Sequence, residues 1–367
     1  MKIGLLTFHV AKNIGAQLQA FALYTTLKSL GHTPQFVRYE PEYLIKPYRL
    51  FRNVQLKYGI CSCIKQSLLH LFFDTATWLK TIKHYKDFQK KYFSFSTKKI
   101  QSSNELVTLG YDAFIVGSDQ IWNPEITEGK IDDVYTLNFP KNKIKKISYA
   151  ASFSEKHISN QQINTLTQRL ASFDAISVRE NNLRNCLQPN SAININVVLD
   201  PTLLLTKEQW LQYIPSKKII KEKYVLIYQA RGNKNKIISQ AQKLAKQYDA
   251  VVYDASGMNY RIKRNGIQYV NPIEFLNLIY YAEAIVTVSF HGTALSLILE
   301  KPFYSISLGD GRDERVRNLL NSVNLISQLK NIDDVLNKPL ISYNEVSKLL
   351  DKYRQISKNY IEESLNQ

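Results

Sequence analysis

Short runs of β-branched and aromatic residues alternate along the whole chain with longer stretches in which apolar positions recur every three or four residues. This alternation is the pattern of β-α units around parallel sheets: a strand covered on both faces reads as a continuous apolar run, and its crossover helix reads as amphipathic. The pattern predicts strands at 2–8, 34–38, 112–116, 145–149, 174–178 and 195–199. A second set follows at 224–228, 250–253, 267–270, 284–288 and 303–307. Between the sets, residues 205–223 carry Pro215 and a lysine-rich run from Lys217 to Lys223, which suits an exposed linker. The chain therefore divides into an α/β domain over 1–205, a second over 224–340, and a segment 341–367. The last is amphipathic over 343–365 and is expected to pack back on the first domain.

The first set of strands is interrupted by an insertion at about 44–100. Two helical patterns lie within its residues 55–93, one with Leu68, Leu69, Phe72 and Phe73 and the next with Trp78, Ile82, Tyr85 and Phe88. These apolar faces suit either a core or a bilayer surface. Charge sharpens the choice of partner. The chain carries a net charge of +17, and the insertion holds 12 Lys or Arg against only Asp74 and Asp87. Such a balance asks for a polyanion, either anionic lipid or nucleic acid. No helix-turn-helix, zinc-finger or aromatic RNA-binding motif accompanies it, so nucleic acid is the weaker expectation.

Apart from this charge the composition, 44% hydrophobic and 22% charged, is that of a globular protein. MKIGLLTFHV lacks the apolar length and cleavage site of a signal peptide, and no uninterrupted apolar stretch reaches the length of a bilayer span, so a cytoplasmic location is expected. Cys61, Cys63 and Cys186 have neither disulfide parity nor zinc spacing, and no His-X-X-X-His pattern is present; no metal site is expected.

Candidate chemistry gathers where predicted strands end, the place where open α/β sheets hold ligands. Strand 2–8 runs through His9 into Asn13 and Gly15 and then a helix, a turn that either holds an anion on free N–H groups or simply caps and packs the helix. The three-glycine fingerprint of a dinucleotide site is absent. After strand 112–116 come Gly117, Ser118, Asp119, Gln120 and Trp122: Asp119 as a base for a hydroxyl proton and Trp122 as a platform for a ring, or a helix cap followed by a core tryptophan. Arg179 follows strand 174–178 and either meets a phosphate or carboxylate or makes a structural pair with Glu180 or another acid. Strand 284–288 leads into Ser289, Phe290, His291 and Gly292, where an imidazole and backbone donors can meet one anion. After the last strand of the second set, Arg312 and Arg315 are either further cleft cations or surface partners of Asp313 and Glu314.

Taken in order, Asn13-Ile14-Gly15-Ala16-Gln17-Leu18-Gln19-Ala20, Gly117-Ser118-Asp119-Gln120-Ile121-Trp122-Asn123, Tyr149-Ala150-Ala151-Ser152-Phe153, Ser177-Val178-Arg179-Glu180, Asp200-Pro201-Thr202-Leu203 and Ser289-Phe290-His291-Gly292-Thr293 resemble the polysaccharide pyruvyl transferase family over most of residues 1–325. The family's opening tyrosine is replaced by Ile14. The resemblance implies two Rossmann-like domains facing a central cleft, as in GT-B glycosyltransferases, with phosphoenolpyruvate held between them and a sugar diol as acceptor. It implies that Arg179 and His291 meet the donor. Our own assignments add His291 as the acid that protonates the methylene carbon, Asp119 as the base, and Asn13, Gly15, Ser289, Gly292, Arg312, Arg315 and Trp122 as binding residues. The expected reaction needs neither metal nor organic cofactor. The insertion would rest on anionic membrane beside a lipid-linked acceptor, with about 1 kcal/mol from each well-placed Lys or Arg. A glycosyltransferase of the same architecture, using a nucleotide sugar, is the alternative.

Overall fold

The computed structural model describes residues 1–48, 75–140, 142–153, 158–229, 234–255, 270–309, 311 and 313–366. Twelve strands among them form two wholly parallel sheets. The first contains β1 (Lys2–Leu6), β2 (Thr33–Tyr39), β3 (Phe95–Ile100), β4 (Ala113–Asp119), β5 (Lys145–Ala151), β6 (Ile176–Val178) and β7 (Ile195–Val197), in the order β3-β2-β1-β4-β5-β6-β7. The second contains β8 (Tyr224–Tyr228), β9 (Val251–Asp254), β10 (Ala284–Thr287), β11 (Phe303–Ser307) and β12 (Leu329–Asn331), ordered β12-β11-β10-β8-β9. Strand order reverses between β1 and β4 in one sheet and between β8 and β10 in the other. These are the switch points at which crossover helices diverge to opposite faces and leave a crevice at the carboxyl edge.

Central strands are covered on both faces, which is why they are apolar throughout: all of β8 and β10 is buried, and all of β4 except Asp119. The strand expected at 267–270 lies, Val270 apart, outside the described residues. So do 49–74, which hold the first helical pattern of the insertion. Its second pattern forms the helix Thr75–Tyr92, whose Tyr85 and Phe88 are buried. Phe88 packs against Phe21, Tyr92 and Phe93, so this face of the helix serves the core and not a bilayer.

The helix Ile14–Ser29 is apolar almost all round and is buried along nearly its whole length. On it Phe21 meets Trp210 and Tyr213, and one apolar cluster runs from this helix through Trp210 to Tyr228, Phe275 and Leu295 of the second domain. The connecting stretch after Trp210 is largely exposed, yet the carbonyls of Pro215 and Lys217 accept from the Asn277 side chain. The C-terminal helix Tyr343–Asn366 lies against the first domain: Tyr360 donates to the Ser148 carbonyl, Arg354 to that of Leu203, and Ser357 accepts from the Leu199 N–H. No helix among the described residues is long and apolar enough to cross a membrane.

His9, just past β1, is buried between Phe36 and Phe95, with Nδ1 donating to the Thr7 carbonyl at 3.0 Å. Burial lowers its pKa from 6.5 to about 4. The unfolded chain therefore binds this proton more readily. Stability is full above the unfolded pKa and falls as pH drops towards the folded one, by about 3 kcal/mol in total. Urea midpoints measured at about pH 5 and about pH 7 should differ for the native chain and differ less for His9→Gln; equal shifts in both would remove His9 as the cause.

Candidate active site at the domain junction

The carboxyl edges of the two sheets meet through loops that follow β1, β4, β6, β7, β10 and β11. After β1, Asn13 caps the helix Ile14–Ser29, its side chain accepting from the Ala16 N–H at 3.1 Å. Gly15 then brings the backbone directly against His291 of the second domain: a Cβ at this position would lie 2.1 Å from His291 Nδ1. Ser289 caps the opposing helix, Phe290–Ile298, through the Gly292 N–H. Two helix N-termini, one from each domain, thus meet across the junction, and both favour negative charge there.

Gly117 at the end of β4 has φ +117°, and a Cβ there would fall 2.1 Å from the Tyr149 carbonyl oxygen, so only glycine lets β4 turn this close to β5. The turn delivers Ser118 and Asp119, whose own φ is 74°. Asp119 is half-buried and accepts from the Gln120 N–H at 2.9 Å. The Gln120 amide, oriented with its oxygen outward, accepts from Arg315 Nη1 at 2.8 Å and Nη2 at 2.9 Å, which ties the second domain to the β4 turn. Arg315 therefore turns to Gln120, while Arg317 is the partner of Glu314 at 3.9 Å. Arg312 lies outside the described residues.

The centre of the junction is a buried charge cluster. Arg179 Nε donates to Glu180 Oε1 at 2.8 Å and Nη1 to Asp200 Oδ2 at 2.8 Å, and its guanidinium lies 4.6 Å from the centre of the Phe290 ring in the other domain. Asp200 Oδ2 also accepts from Ser118 Oγ at 3.2 Å and stands 3.7 Å from His291 Nε2; its Oδ1 accepts from the N–H and hydroxyl of Thr202. Glu180 Oε1 is further held by Ser152 Oγ. Burial opposes both charges, but Glu180, Asp200 and Asp119 raise the Arg179 pKa, and His291, Arg179 and Thr202 hold Asp200 well below the usual carboxylate range. Arg179 Nη2 and Glu180 Oε2 are buried and have no hydrogen-bond partner among the described residues.

One expectation is corrected. Trp122 is 1% exposed, packs in the core beneath the β4 turn and donates to the Tyr135 carbonyl, so it offers no face to a sugar. Gly292 faces Thr287 and Tyr228, where a Cβ would fall 2.3 Å from Thr287 Oγ1, so its missing side chain serves close helix-to-strand packing, and its N–H donates to Ser289 Oγ. Arg179 makes the structural pair with Glu180 and a second one with another acid, Asp200. Asn13, Gly15, Asp119, Arg179, Ser289, His291 and Arg315 do come together. Asp200 and Gln120 join the site, although in the sequence they stand out only as members of longer motifs. Lys12, beside the capping Asn13, is half-buried, and its pKa is lowered by burial and by Lys86.

The fold is shared with solved structures of two-domain, GT-B-like architecture. The chain is similar to the UDP-GlcNAc 2-epimerase of Methanocaldococcus jannaschii at 13% identity and TM-score 0.50, with 96% of this chain and 92% of that one covered. It is similar to a candidate UDP-N-acetylglucosamine 2-epimerase of Listeria monocytogenes at 9% identity and TM-score 0.53, with 98% and 90% covered. Both likenesses concern the two-domain, GT-B-like architecture. None of the curated proteins matches the chain in sequence. A family model does match, over residues 13–310, from the cap of the first helix to the loop after β11. That span takes in Asn13, Gly15, Asp119, Arg179, Asp200, Ser289 and His291 and leaves out Lys12 and Arg315, and on this evidence the chain belongs to the polysaccharide pyruvyl transferase family.

Proposed function

We propose that the protein transfers the enolpyruvyl carbon skeleton of phosphoenolpyruvate onto two hydroxyls of a sugar, forming a cyclic ketal and releasing phosphate. The observation that carries this reading is the junction itself, where His291 of one domain and Arg179 of the other approach the same carboxylate oxygen of Asp200. Protonated His291 gives its proton to the methylene carbon, which makes C2 electrophilic and oxocarbenium-like. A first sugar hydroxyl adds to C2 and its proton passes to Asp119. A second hydroxyl of the same sugar displaces phosphate, whose C–O bond breaks with its electron pair. The second hydroxyl proton returns to His291, and the proton on Asp119 leaves with phosphate. The steps involve no change of oxidation state and call on no organic cofactor.

Phosphate and carboxylate bring more negative charge than the paired Arg179 can offset. Buried Nη2 of Arg179, the two helix N-termini, Lys12 and Arg315 supply the rest. The acceptor is proposed to be lipid-linked, held near anionic membrane by the basic helix Thr75–Tyr92 and its flanks. Purified protein should release phosphate from phosphoenolpyruvate only with an acceptor diol present, and the product should gain the mass of pyruvic acid less water. Presenting lipid-linked acceptors in anionic and in neutral vesicles tests the membrane contact, since equal rates would end it. No phosphate release with any acceptor, together with glycosyl transfer from a nucleotide sugar, would replace the reading by that of a glycosyltransferase.

A further inference from the structure

We infer that Asp200 is the positioning residue of His291: its carboxylate holds the proton on Nε2, so that Nδ1, the ring nitrogen beside Gly15, is the one that exchanges a proton with the substrate. The inference rests on the pyruvyl-transfer reading for the identity of that substrate, and on the following geometry for the rest. Asp200 is 1% exposed and cannot turn, because Oδ1 is fixed by the Thr202 N–H at 3.0 Å and hydroxyl at 2.7 Å while Oδ2 is fixed by Arg179 and Ser118. An ionised carboxylate only accepts hydrogen bonds. Nε2 lies 3.7 Å from Oδ2, is sealed from solvent and has no other partner among the described residues, so a lone pair there would face negative charge with nothing among them to offset it. The proton therefore belongs on Nε2 in the neutral ring.

The opposite edge of the imidazole lies against Gly15, with a Cβ there falling 2.1 Å from Nδ1, 2.5 Å from Cγ and 2.8 Å from Cε1. Phe290 stands edge-on to the ring at 5.4 Å and 85°. The side chain keeps 11% exposure, none of it at Nε2. Since Asp200 and Gly15 belong to the first domain and His291 to the second, the ring is oriented only when the domains are docked. In the reaction the proton leaves Nδ1 for the methylene carbon as a C–H bond forms from the enol π pair, and Nδ1 is reprotonated by the second sugar hydroxyl as phosphate departs. Nε2 keeps its proton throughout.

The test is the tautomer of His291 in the full chain labelled with [15N]histidine, read from long-range proton–nitrogen spectra at a pH where the ring is neutral. The chain has six histidines, and the resonances lost in His291→Gln identify the one in question. The expected result is a protonated Nε2 and a bare Nδ1, with this preference lost in Asp200→Asn and kcat lowered there by about 10²-fold or more while KM moves less. A protonated Nδ1 in the native chain overturns the inference, as would an Asp200→Asn variant with native tautomer and native kcat. If Asp200→Asn does not fold, the native tautomer alone decides. Absence of pyruvyl transfer with the Nε2 proton in place would remove the substrate assignment and leave the dyad standing.

Discussion

Replacing His291 with glutamine is expected to lower the turnover of phosphoenolpyruvate by about 10²- to 10⁴-fold, the usual contribution of a positioned general acid. The glutamine amide can still present an N–H to Asp200, so no buried carboxylate is stranded, and the urea midpoint should correspond to a stability change of no more than about 1 kcal/mol. What the amide cannot do is give a proton to carbon. Gly15→Ala is a useful companion because it leaves the imidazole in the chain but inserts a methyl group where Nδ1 lies, 2.1 Å away. The ring or the domain junction must yield, and turnover should fall without loss of any titratable group. A folded His291→Gln variant with native turnover would move the proton donor to another residue and leave His291 a phosphate ligand at most.

The contrast between what the sequence disclosed and what it hid follows from burial. Central strands such as β8 and β10 are apolar on both faces, so their runs announce themselves. The strands overlooked, β3 and β12, stand at sheet edges: β3 exposes Thr97, Lys98 and Lys99, and β12 is three residues long and half-exposed. Neither carries the pattern by which a strand is read.

The site divides in the same way. Asn13, Gly15, Ser289 and His291 stand at strand-to-helix turns, which a local pattern marks. Asp200 was visible only as part of Asp200-Pro201-Thr202-Leu203. Its role depends on Ser118, Arg179 and His291, which are brought to it by three other strand ends and by the docking of two domains. Trp122 misled for the converse reason. A tryptophan following a polar turn suits a ligand platform and a core equally, and only the Tyr135 carbonyl that accepts its N–H settles the matter.

Arg179→Ala should cost about 3–5 kcal/mol of stability at neutral pH, since it strips the compensating charge from a buried pair and leaves its partners unpaired. The size of the effect follows from the number of bonds removed. Arg179 holds Glu180 and Asp200 at 2.8 Å each, from a side chain only 3% exposed, and spans the junction to Phe290. The pH dependence gives the more discriminating result. In the native chain Asp200 stays ionised to well below the usual carboxylate range, so its contribution is present above its unfolded pKa of 3.8 and does not vary through the neutral region. In the variant one of the groups that hold this charge against burial is gone, and the folded-state pKa of Asp200 rises. Where it exceeds the unfolded value, the folded variant takes up a proton before the unfolded chain does and gains relative stability as pH falls. The gap between native chain and variant should therefore be widest near neutrality and narrow towards about pH 4, with the contribution of His9, common to both, cancelling from the difference. Urea titrations of the two proteins across that range measure it directly. A gap that stays constant with pH would mean that the guanidinium acts through packing on Phe290 and not by compensating buried carboxylate charge.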